Sequence, residues 1–134
     1  MFKSTATLYA DLARHLGVDE LPADEAGSVE LTIGQDTTVM LFAEDEHSLM
    51  LAAPVMPLPS ELDYGLTLWL LRRNFHDSPL APFRVACDAA GVIVLWGRVP
   101  IEGMSGGSLA GLIEAVATQS ELVREELGFG GPAS

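Results

Sequence analysis

Basic charge is scarce in this chain. Lysine and arginine number 7 against 19 aspartates and glutamates, a formal net charge of −12 over 134 residues. A field of that sign repels phosphate backbones and anionic lipid, which argues against nucleic acid and membrane surfaces as partners. Cysteine is scarcer still. Cys87 stands alone, so no internal disulfide can form, as suits a reducing compartment. Long apolar runs are missing too: no stretch approaches the roughly 20 residues that span a bilayer. The opening Phe2-Lys3-Ser4-Thr5 lacks the pattern of a secretory leader. These absences lead to the expectation of a soluble, cytoplasmic protein with no membrane insertion.

Chemistry-bearing constellations are equally thin. His15, His47 and His76 fall on separate segments with no second ligand at metal spacing. His76-Asp77 is a neighbour pair in a predicted surface loop, where both groups are expected to be solvated. Cys87 takes a predicted inward strand position, where cysteine acts as a small apolar residue. The stretch from Gly103 to Ser108 has the glycines of a phosphate loop but not its lysine. No metal, no cofactor and no catalytic residue is expected, and the chain is not read as an enzyme.

What is abundant is apolar surface, 49% of residues in an acidic chain. That excludes disorder and suggests that some apolar surface is not core. The length suits one domain, here residues 1–128, with 129–134 as a flexible tail. Phe2, Ala6, Tyr9, Ala13 and Leu16, with Leu8 and Leu12 beside them, predict a helix over 2–16, ended by Gly17. Strands are predicted over 29–33, 38–44 and 48–55, the last ended by Pro54, Pro57 and Pro59. The capping pattern Ser60-Glu61-Leu62-Asp63 opens a second helix to about Phe75. A hairpin of 83–87 and 92–99 follows, then a third helix over 108–127. The order is αβββαββα, an α+β fold with an antiparallel sheet packed with helices.

Three places carry more apolar surface than one core uses. In the second helix Leu62, Leu66, Trp69 and Leu70 share one side, and Tyr64, Leu68, Leu71 and Phe75 the opposite side. A helix apolar all round needs cover on both sides, from another element or another subunit. The subunit is favoured. In the last strand Arg98 marks the wet face, and period-two alternation puts Val92, Val94 and Trp96 on it. A two-fold contact built from Leu62, Leu66, Trp69, Leu70, Val92, Val94 and Trp96 would bury both excesses. In the first three strands Met40, Phe42 and Met50 gather with Thr32 and Ala52 on a face that Glu44 also marks as wet. Methionine suits a surface that accepts varied apolar partners, so these five residues are a candidate docking patch.

The run Leu70-Leu71-Arg72-Arg73-Asn74, then Asp88, Gly91-Val92-Ile93-Val94-Leu95, Val99-Pro100-Ile101 and the Leu109–Leu127 helix has a familiar order. It resembles the class I type III secretion chaperones, the Tir-chaperone-like family. The likeness extends along nearly the whole chain, with a Gly/Ser insertion before the last helix as a departure. The resemblance implies a bacterial homodimer joined through the second helix and later strands, with no ATP and no active site of its own. It also implies binding to an N-terminal segment of a secreted effector in extended form. Two other readings stay open: an acidic inhibitor or immunity-type protein that binds a folded partner, and a small α+β enzyme or ligand carrier with a defined pocket.

Overall fold

The computed structural model of the chain describes residues 5–25, 27–34, 37–45, 47–58, 64–75 and 83–128. Helix α1 (Thr5–Leu16) buries Leu8, Tyr9, Leu12 and Ala13, spaced for one helical face. It stops at Gly17, whose φ of 78° a residue with a β carbon seldom adopts. The Gly17 N–H donates to Arg14 O at 3.2 Å and the Val18 N–H to Ala13 O at 3.0 Å, a Schellman ending. Ala6 and Leu16 were expected on the buried face. Both are exposed, because the core lies under the middle of the helix.

Five antiparallel strands follow: β1 (Val29–Ile33), β2 (Thr37–Ala43), β3 (Ser48–Pro57), β4 (Arg84–Cys87) and β5 (Val92–Pro100). Their order across the sheet is β1-β2-β3-β5-β4. Helix α2 (Tyr64–Arg73) lies in sequence between β3 and β4, and α3 (Gly106–Gly128) closes the chain. The α+β order αβββαββα is therefore as expected. Val39, Leu41, Leu49, Leu51, Ala53, Ile93 and Leu95 line one sheet face with essentially no exposure. Over them pack the buried residues of α1 and the Leu109, Ile113, Val116 and Val123 stripe of α3. Each large side chain so buried contributes about 1.5–3 kcal/mol.

Three details differ from expectation. Pro54 does not end β3, which runs on to Pro57. The pairing of β2 stops at Ala52, so beyond that residue β3 is paired only by β5, and its register shifts between Pro54 and Met56. Proline is tolerated at such a local edge and bulge. Val55 is the unpaired bulge residue, and its carbonyl accepts from Arg124 Nε of α3 at 3.0 Å. Cys87 shares the inward pleat of Val85, opposite Ile93, but is exposed at the end of the four-residue edge strand β4.

Helix α3 starts at Gly106, two residues earlier than expected. Ser105 Oγ accepts from the Ser108 N–H at 3.1 Å, and Asp11 Oδ2 of α1 takes the Gly106 N–H at 2.6 Å. A β carbon on Gly106 would lie 2.5 Å from the Asp11 carbonyl oxygen. The glycine-rich departure from the family pattern is thus a helix start in close contact with α1, not a phosphate cradle.

Candidate functional site

Strand pleating sends alternate residues to the sheet's second face. All three helices pack toward the first: α3 directly, α1 against α3, and α2 through Trp69 and Leu70, which rest half-buried against the core. The second face is read most directly along its cross-strand rows. Glu30, Met40, Ala52, Trp96 and Arg84 form one row across all five strands. Phe42, Met50 and Arg98 form the next, and Pro54, Val94 and Ala86 flank the first row on its other side. Charged residues thus stand at both ends of an apolar centre.

Within that centre Met40, Phe42, Met50, Val92, Val94 and Trp96 are half-buried. Ala52 is only 5% exposed, because its short side chain lies between Met40 and Trp96 in the row. It is a floor between larger neighbours rather than a projecting contact. Thr32 is exposed on edge strand β1 opposite Thr38. The two apolar patches expected to be separate are one continuous surface. What sequence reasoning missed is the β3–β5 pairing, a long-range contact that no local pattern announces.

The second helix divides its two stripes except at Leu68, which was expected with Tyr64, Leu71 and Phe75 but is half-buried. Leu66, Trp69 and Leu70 are half-buried, while Tyr64, Leu71 and Phe75 are 79%, 63% and 59% exposed. Leu62, expected in the same set as Trp69, lies outside the described residues, as does the His76-Asp77 pair. Trp69 and Leu70, expected to meet a partner subunit, rest half-buried against their own core. The more exposed stripe is the opposite one. No residue of α2 is fully buried, and polar links hold its position. Trp69 Nε1–H donates to Glu126 Oε1 of α3 at 3.1 Å, and Arg73 Nη2 donates to the same oxygen at 3.3 Å. The Arg73 guanidinium lies 4.3 Å from the Trp69 ring centroid. At the end of the helix, Asn74 Oδ1 accepts the Val85 N–H of β4 at 2.5 Å.

Electrostatics set the border of the face. Arg98 donates to both Glu44 oxygens, with Nη2 2.9 Å from Oε2, and these hydrogen bonds hold the Glu44 carboxyl below its usual range. Asp45 is held low as well, by the backbone N–H groups of His47 and Ser48 at 2.7 and 2.8 Å. Behind the sheet, Tyr9 OH donates to Gly27 O at 2.6 Å, and burial, with Asp24 nearby, pushes its pKa up to about 12. Among the described residues no group of three His, Cys, Asp or Glu side chains is arranged to hold a metal. Among them, too, no helix is long and apolar enough to cross a membrane. The arrangement is suited to contact between polypeptides.

Comparison with known proteins agrees with that surface. The model of the Tir chaperone protein (CesT) family matches residues 7–124, so the chain belongs to this family. No curated protein sequence matches it. Among solved structures, it is similar to a chain of the Yersinia pestis type III secretion chaperone SycH in complex with a stable fragment of YscM2. Identity there is 25%, with a TM-score of 0.73 over 87% of this chain and 97% of that one. It also shares its fold with a chain of the heterodimeric ExoU–SpcU complex from the type III secretion system of Pseudomonas aeruginosa. That match has 23% identity and a TM-score of 0.71, covering 89% of this chain and 93% of the other. A chain of the ExsC–ExsE complex shares the fold at 20% identity and a TM-score of 0.75, over 91% and 92%.

Proposed function

We propose that this protein is a type III secretion chaperone that, as a cytoplasmic homodimer without catalytic activity, holds an N-terminal segment of a secreted effector in extended form. The observation that carries the proposal is the second sheet face, apolar at its centre and charged at its rim, with all three helices turned the other way. Thr32, Met40, Phe42, Met50 and Ala52 form the client side of that face. Val92, Val94 and Trp96 form the side toward the partner subunit. On α2 the partner contact passes from Leu66, Trp69 and Leu70 to the exposed Tyr64 and Leu71.

The sheet edges favour β1 as the place where an extended client pairs its backbone. At β4 the Val85 N–H is taken by Asn74, and beyond β2 the Val55 carbonyl is taken by Arg124 beside Pro54 and Pro57. Among the described residues no strand or side chain pairs with the outer side of β1. Backbone pairing there gives sequence-tolerant affinity, and the Met40–Phe42–Met50 surface supplies apolar anchoring.

Co-expression with the N-terminal fragment of the secreted protein encoded beside it, followed by mass determination, tests the reading. A complex of two chaperone chains with the fragment is expected. Phe42→Asp should abolish fragment capture and leave the dimer intact. A partner captured only as a full-length folded domain, and not through its N-terminal fragment, would instead favour an inhibitor or immunity-type protein.

A further inference from the structure

A groove of about 640 Å³ lies between the first half of α1 and the loop that follows the helix. Tyr9 and Ala10 of α1 line it with Leu21 of the loop, and Asp19, Glu20 and Glu25 stand exposed around its mouth. Pockets of this size hold a small ligand or a few side chains. Among the described residues that line it, none is basic. One end of the groove reaches Gly27, two residues before β1 begins at Val29. It therefore opens beside the edge strand on which the extended client is expected to pair.

The chemistry of the groove selects its occupant. An apolar client side chain would strip water from the carboxylates at the mouth and give them no partner in return. An acidic one would meet like charge. A lysine or arginine meets neither obstacle, because its methylene stem can lie on Ala10 and Leu21 while the cationic head stays among the carboxylates. The negative field is felt on the inner wall as well, where Asp24 is, after burial, the second cause of the raised pKa of Tyr9.

We propose that this groove is a client subsite for one lysine or arginine side chain, carried on the effector segment just past the stretch paired along β1. The inference rests on the chaperone reading above and adds a specificity to it. Backbone pairing accepts almost any sequence, whereas a basic anchor at a fixed distance from the paired stretch sets which residues of the client lie where. Such an anchor acts at contact range, unlike the long-range attraction that the whole acidic surface exerts on any basic segment.

The test uses the full chain and the N-terminal effector fragment, with affinity read by titration calorimetry. Glu20→Gln together with Glu25→Gln should weaken fragment binding about tenfold, the worth of one charge-assisted hydrogen bond. Glu114→Gln together with Glu125→Gln removes the same amount of charge from exposed positions of α3 outside the groove, and should change the affinity by less than about twofold. Ala10→Phe keeps every charge but fills the groove, and should weaken the fragment as much as the first pair. Replacing the lysines and arginines of the fragment one at a time by methionine should reveal one position whose loss costs about tenfold with the native chain and nothing further with the E20Q/E25Q chain. Equal weakening by the two charge pairs, full affinity in the Ala10→Phe chain, or a fragment with no position coupled to the groove overturns the subsite and leaves the chaperone reading standing. A fragment that never binds the native chain overturns both.

Discussion

Gly106 shows how much one missing side chain can decide. Its amide is held by Asp11, and Asp11 in turn is held by Arg14 at 2.6 Å, so the start of α3 is anchored to the middle of α1. The Arg14 hydrogen bond, and then the Gly106 amide, keep the Asp11 carboxyl below its usual value. Gly106→Ala drives a methyl group to 2.5 Å from a backbone oxygen, which cannot rotate away. The expected cost is about 1–3 kcal/mol, typical of overpacking, read as a lower urea midpoint with an unchanged slope. Ala at Gly111, where a β carbon meets nothing within 4 Å, is the control and should not destabilise.

Among the elements, α2 is the one whose cover is missing. It has no fully buried residue, and two large apolar side chains, Tyr64 and Leu71, project from its outer side, with Phe75 exposed just beyond its end. Leu71→Glu should convert the proposed dimer to a monomer in light-scattering mass measurements. Thermal stability of the isolated chain should hold, since Leu71 is 63% exposed. The two-stripe character of this helix was legible in its sequence, as was the inward alternation of Leu49, Leu51 and Ala53. Which stripe meets the core was not, because Trp69 is placed by Glu126, 57 residues away. The sequence likewise could not order β5 beside β3, so one face was read as two. Pro54 misled for a local reason. It reads as a strand stop unless one knows that β2 ends its pairing at Ala52 and leaves an edge there.

For the whole molecule the dominant quantity is the net charge of −12. Of its few basic side chains, Arg14, Arg73 and Arg98 are paired with carboxylates and Arg124 with a backbone carbonyl. A basic client segment is therefore drawn in over distances near the Debye length, about 8 Å at physiological salt. Stopped-flow association of the N-terminal fragment should slow as ionic strength rises, while the dissociation rate, set by apolar contact, changes little. A rate insensitive to salt would show that charge serves solubility alone.

The same edges that steer a client also bear on how the protein behaves in a crowd of its own copies. A sheet with a free rim on both sides can stack end to end without limit, rim to rim, into a fibre. Here Asn74 occupies the rim at β4, and the proline-bearing stretch with Arg124 occupies the step beyond β2. With one rim left on each copy, a homodimer joined through another face still carries two, and a client strand paired along each β1 would cover both. Loaded molecules are then expected to withstand high concentration better than unloaded ones, read as light scattering with and without the client fragment.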